Sequence, residues 1–314
     1  MLGRPILNKF FIFLICCVFA APAESSAQQS IAILLSDSED AYSIPAASFE
    51  EAAMLPVTTF NLEGNIRKKP NLKDELFQAK PALIFALGAK AAYLAKLWTK
   101  DKPDVPVIFG MVLNWKRYKL LEDQDNIAGI AAEMAPGTQF VNLTTFVPNV
   151  RKIGVIYSEE YSGEIFEDAK QAAQLLGLEL VPVDIERSDD FQRAFRKISN
   201  EIDGFWVVND PVTYSLQNMA WLAKRCIKER LVCLGQSRNI TEQGIALAVN
   251  PDIYNIGTQA ASMARNILLG NQSPKNIGVM APLGTNIHVN LKTADRIGLE
   301  ISHAALDMAT MVFD

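Results

Sequence analysis

The chain has 314 residues, more than one typical hydrophobic core holds and enough for two. Apolar residues make up 49%, so a packed globular protein is expected and extended disorder is not. The balance of 30 basic against 35 acidic residues, a net charge of −5, offers no basic field for a phosphate backbone, so no nucleic acid partner is expected.

Arg4 and Lys9 precede an apolar run at 10–21, and Ser25, Ser26 and Ala27 form a small-x-small cleavage site, with Ala21, Pro22 and Ala23 as a second option. The run is shorter than the roughly 20 residues that span a bilayer. Residues 1–27 therefore read as an export signal that is cleaved, placing the mature protein in the periplasm. A lipid anchor would need Cys16 or Cys17, which follow Ile15 and Cys16 rather than the small residue such a signal prefers.

The mature chain opens with a buried strand at 31–35 and a polar turn, Ser36 to Asp40, which lacks the glycine and distant glutamate of a calcium loop. A short helix at 46–54, a strand at 57–60, a helix at 71–79 and a strand at 82–87 follow. Gly88 opens the next helix, where a bare backbone can approach a ligand. Strands at 105–112 and 127–131 end this series, the former running into Leu113, Asn114 and Trp115.

Pro136 and Gly137 open a helix with Phe140, Leu143 and Phe146 on its apolar face. Residues 151–184 then form a complete β-α-β unit. An apolar run at 153–157 is followed by helical spacing of Ile165, Ala169, Ala172, Ala173 and Leu176, a stop at Gly177, and a second apolar run at 178–183. A helix at 190–200 and a strand at 204–208 come next. Asp210 and Pro211 read as the cap and first turn of a helix reaching about Lys228. Strands at 231–235 and 245–249 follow, the first ending in Gln236, Ser237 and Arg238. Asn250 and Pro251 read as the start of a helix that Gly270 ends. A strand at 287–290 and a helix at 292–297 close the chain.

Two successive strand-helix series predict an α/β protein of two doubly wound Rossmann-like lobes with a cleft between them. The expected division is 28–131 plus about 250–272 for lobe 1, and 132–249 plus about 273–314 for lobe 2. Ligands of such sheets bind at the carboxyl ends of the strands, which places Tyr157, Ser158 and Glu159 where a ligand would sit. There is no GxGxxG after a strand, no GxxxxGK[ST], no HExxH and no GxSxG. The two histidines, His288 and His303, stand apart from any Cys/His cluster, so no metal and no cofactor are expected. Without an assembled catalytic set, binding is expected rather than turnover. After cleavage only Cys226 and Cys233 remain, as a disulfide or as two buried thiols. Export and the short helix-to-strand turn between them favour the pair.

The runs VPVIFGMVLN (105–114), NIAGIA (126–131), FVPNVRKIGVIYSEE (146–160), LGLEL (176–180), NIGTQAASMARNILLG (255–270) and HVNLKTADRIGLEIS (288–302) resemble the ABC-transporter substrate-binding family that includes tryptophan-binding lipoproteins. The resemblance implies a type I periplasmic binding fold, in which two lobes joined by three crossovers close over one small molecule. It departs from the family at Asn114 and Trp115, where members carry Asp-Pro, and in a shorter first helix at 43–55. Carried over by position, the ligand-contact candidates are Asn114, Tyr157, Ser158, Asp210 and Ser237, with Ser36 and Gly88 at first-lobe strand ends. Their competing use is helix capping, which Asp210 could do alone. Trp115, Tyr157, Tyr161 and Tyr214 are the aromatic candidates.

The function expected is that of an exported solute-binding protein, a monomer that captures a small metabolite, amino-acid-like or aromatic, and delivers it to an ABC permease. A periplasmic ligand-sensing module for a membrane receptor or kinase is the alternative. An enzyme of unrecognised chemistry is a third.

Overall fold

A computed structural model describes residues 30–314. The export signal and the lipid-anchor alternative lie outside the described residues. The first segment runs β1 (Ile31–Leu35), α1 (Asp40–Ala52), β2 (Val57–Asn61), α2 (Leu72–Gln78), β3 (Leu83–Leu87), α3 (Ala89–Thr99), β4 (Val107–Gly110) and β5 (Ile127–Ile130). The chain then crosses into α4 (Pro136–Phe146), β6 (Lys152–Tyr157), α5 (Glu159–Leu175), β7 (Glu179–Asp184), α6 (Phe191–Ile198), β8 (Gly204–Trp206), α7 (Leu216–Glu229), β9 (Val232–Gly235), α8 (Arg238–Glu242) and β10 (Leu247–Pro251). It returns through α9 (Ile253–Leu268), α10 (Pro274–Ile277) and β11 (Val279–Met280). It then crosses a third time into β12 (Thr285–Asn290), α11 (Leu291–Ile297), α12 (His303–Leu306) and β13 (Met311–Phe313).

The strands form two sheets, ordered β11-β5-β4-β3-β1-β2 and β13-β12-β10-β9-β8-β6-β7. All pairs are parallel except β10 with β12. Strands such as β1, IAILL, and β3, LIFAL, are buried along their whole length, because helices cover both faces of the sheet. In the first lobe α1 and α9 pack on one face, and α2 and α3 on the other. In the second, α4 and α5 cover one face and α6 and α7 the other. Gly257 lets α9 close on α1: a Cβ there would lie 2.0 Å from Ser48 Oγ and 2.1 Å from the Pro45 carbonyl. The Ser48 hydroxyl donates to the Tyr254 carbonyl at 2.7 Å across the same contact.

Several expected boundaries move. Asp210 and Pro211 do not open a helix; α7 begins at Leu216, and its cap is Ser215, whose Oγ accepts from the Asn218 N–H at 3.1 Å. Asn250 and Pro251 belong to β10, where Pro251 faces Thr285, and the cap of α9 is Asp252, which accepts from the Tyr254 N–H at 3.0 Å. The residue before a proline resists helical geometry, which holds Asn250 in the strand. Residues 274–280 stay with the first sheet, since β11 pairs with β5 in register Val279 to Gly129. The third crossover therefore falls at 281–284 rather than near 273, and a two-residue strand is too short to show in the hydropathy pattern. Cys226 and Cys233 are disulfide-bonded, with Cα atoms 6.4 Å apart where α7 turns into β9.

Candidate functional site

The carboxyl ends of both sheets face one another, and the loops leaving them enclose a cavity of about 780 Å³. Its walls come from the loop after β4 (Asn114, Arg117, Tyr118), the loops after β8 and β9 (Asn209, Asp210, Tyr214, Gln236, Ser237, Arg238), the first crossover (Glu133) and the end of β10 (Asn250). A smaller cavity of about 260 Å³ lies beyond Asn114, Glu133 and Gln236, against Trp115, Met134, Ile165 and Met280.

Of the residues singled out in the sequence, Asn114, Asp210 and Ser237 line the larger cavity. Asn114 sits in a left-handed turn, φ 45°, a conformation asparagine tolerates better than most residues. Its backbone N–H donates to Glu133 Oε2 at 2.8 Å, and its side-chain amide donates to the Tyr161 carbonyl of the second lobe. Asp210 is buried and accepts three backbone N–H groups, from Ser158 at 2.9 Å, Val212 at 2.7 Å and Thr213 at 3.2 Å. It thus ties the loop after β8 to the end of β6. Ser237 precedes α8 without capping it through its side chain, leaving the hydroxyl beside the cavity.

The other four candidates are turned to structural tasks. Ser36 is buried and its Oγ accepts from the Ala91 N–H at 3.0 Å, within the first turn of α3. Gly88, at φ +89°, packs against that hydroxyl and Tyr42; a Cβ there would lie 2.5 Å from Ser36 Oγ. Tyr157 is stacked on Phe166, ring centroids 4.5 Å apart, in the core of the second lobe. Burial, then its hydrogen bond with Glu159, pushes its hydroxyl up to about 12. Ser158 is buried and contributes its backbone, with its carbonyl accepting from the Ser162 N–H at 2.8 Å. Among the aromatic candidates, Tyr214 lines the larger cavity and Trp115 the smaller.

Glu133, in the first crossover, was not singled out in the sequence. It lines both cavities, and burial raises its pKa against the opposing pull of hydrogen bonds from the Asn114 N–H and the Asn209 side chain. Asn209 Nδ2 also donates to Gln236 Oε1 at 3.1 Å, and Gln236 Nε2 to the Val207 carbonyl at 2.9 Å. The carboxylate is therefore held by the first lobe through the Asn114 N–H and faces the Asn209 side chain of the second. The one clue in the sequence is a lone acid inside the small apolar stretch Ala131-Ala132-Glu133-Met134-Ala135.

A second set of contacts bridges the lobes beside the larger cavity. The turn 115–118 reaches across to α5, where the Arg117 guanidinium lies 4.4 Å from the Tyr161 ring centroid. Lys116 Nζ sits 3.5 Å from both Glu164 and Asp168. With Asn114 on Tyr161, one short segment of the first lobe clasps the first turns of α5.

A family model described as ABC transporter substrate binding protein matches residues 45–313. No curated protein matches the chain. Among solved structures, the ABC domain in complex with L-Trp from Streptococcus pneumonia shares 19% identity at a TM-score of 0.61, covering 90% of this chain and 100% of that one. The ligand-free, open structure of a substrate-binding protein with adhesive properties from Clostridium difficile shares 20% at a TM-score of 0.74, covering 91% and 99%. A leucine-binding protein from Thermotoga maritima shares 13% at 0.52, covering 77% and 83%. These likenesses give the fold, the two-lobed type I periplasmic binding arrangement.

Proposed function

Since the chain belongs to the ABC transporter substrate-binding family, we propose that it is an exported solute-binding protein that holds one small metabolite between its lobes and delivers it to an ABC permease. The observation that carries this reading is the cavity of about 780 Å³ whose walls come from strand-end loops of both sheets and from the first crossover. That volume lies within the range of small-molecule sites. A ligand there touches both lobes at once, so its binding energy favours their approach.

The metabolite is amino-acid-like or aromatic. Tyr118 and Tyr214 supply apolar faces to the cavity, while Asn209, Gln236 and Ser237 supply neutral polar groups. The Streptococcus protein of the same fold, solved with L-Trp, supports this class. The reading includes cleavage after Ala27.

Full-length protein expressed in a Gram-negative host, recovered from the periplasm and purified without denaturation, tests this by native mass spectrometry and N-terminal sequencing. A mature chain starting at Gln28 and carrying one small molecule is the expected result. An intact Met1, or a chain that neither retains a molecule nor is thermally stabilised by any member of a metabolite library, contradicts it.

A further inference from the structure

Glu133 lines the larger cavity without a cationic partner. Among the described residues it takes part in no ion pair, and the cations nearby are engaged elsewhere: Lys116 with Glu164 and Asp168, Arg238 with Glu242 at 2.7 Å, and Arg117 over the Tyr161 ring. The Asn114 N–H occupies one of the roughly four lone-pair directions a carboxylate offers, and the neutral Asn209 amide lies nearby. A carboxylate in a protein-lined cleft with unfilled acceptor positions and no ion-pair partner is costly to maintain, and a ligand cation relieves that cost. We propose that Glu133 is the specificity-determining group of the cleft and that it selects ligands bearing a protonated amine.

The class is an organic N–H cation and not a metal ion. No group of three or more His, Cys, Asp or Glu able to hold a metal occurs among the described residues, and hard cations take several oxygen ligands. An ammonium group needs fewer, since each N–H can be directed at a single acceptor. Glu133 lies in the first crossover and lines the cavity with residues of both lobes, so an amine bound there sits between the lobes. This inference rests on the solute-binding reading and narrows it.

The test is a thermal-shift and calorimetric screen of wild type and Glu133→Gln, with metabolites grouped as amine-bearing, neutral and purely anionic. It includes the matched pairs 2-phenylethylamine with 2-phenylethanol and L-phenylalanine with 3-phenylpropionate. Choline tests a cation without N–H, and Mg²⁺ and Ca²⁺ test metals. We expect ligands only in the amine-bearing class, and a loss of tenfold or more in their affinity in Glu133→Gln. Circular dichroism verifies its fold; if that variant does not fold, the charge class of the wild-type ligands decides alone. Ligands confined to the neutral, anionic, choline or metal groups, or amine affinity changed less than twofold by Glu133→Gln, overturn the role of Glu133 and leave solute binding standing. No ligand in any class overturns the solute-binding reading and this inference with it.

Discussion

Glu133 and Asp210 are both acids at the cleft, and their surroundings set them apart. Asp210 has its oxygens filled by three backbone N–H groups. Replacing it with Ala leaves buried donors unsatisfied and should destabilise the fold by about 2–4 kcal/mol, with Asn costing less. Chemical denaturation of both variants measures this, and an Ala variant as stable as wild type contradicts the tie between β6 and the β8 loop. Glu133 carries the opposite sign. A carboxyl whose pKa is raised by folding binds its proton more tightly in the folded state, so the apo fold is penalised at pH above that range and relieved as pH falls through it. Glu133→Gln should therefore raise the apo melting temperature at pH 7, with the gain fading on acidification; thermal melts from pH 7 downward show whether it does. Tyr157 marks where strand-end position misled. Along β6 it shares the face of Ile153 and Val155, and period-two alternation sends all three into the core against α4 and α5. Tyr157→Phe should leave ligand affinity within twofold by calorimetry.

At the scale of elements, most of the architecture was legible because parallel strands buried on both faces leave unbroken apolar runs, and α5 and α9 show clear helical spacing. What the pattern hid depends on partners distant in sequence. The strand β11 exists only through β5, some 150 residues earlier in the chain, and Glu133 meets Asn114 and Asn209 only once both lobes are assembled. The start of α7 slipped because Asp210 and Pro211 have the composition of a helix cap, yet the carboxylate is committed to a turn and to Ser158. The clasp from 114–118 to α5 is similarly invisible in sequence. Its ion pairs are exposed and worth about 1 kcal/mol or less, so they bias the lobes and do not lock them. Lys116→Glu should weaken ligand binding by up to about fivefold, and the triple reversal with Glu164→Lys and Asp168→Lys should restore it; an unrestored loss in a folded protein argues against the clasp. The Cys226–Cys233 bridge closes a short loop and should contribute about 2 kcal/mol. Denaturation of the Cys226→Ala/Cys233→Ala variant checks this.

For the whole molecule, the chain passes between the sheets three times, and the outcome is one cleft with walls from both. Loops after β4, β8 and β9 bring polar and aromatic side chains to it, while Asn114 and the crossover residue Glu133 connect its walls. On the solute-binding reading, a ligand held between the lobes stabilises the protein by RT ln(1 + [L]/Kd), roughly 2.7 kcal/mol at a hundredfold excess over Kd. The most direct measurement compares ligand-induced melting shifts in wild type and in Ser237→Trp, which fills the cavity from a position that caps nothing through its side chain. The account predicts that a small metabolite raises the wild-type melting temperature while Ser237→Trp, folded and equally stable alone, shows no shift. A shift of equal size in both proteins would contradict it and place the ligand outside the interlobe cleft.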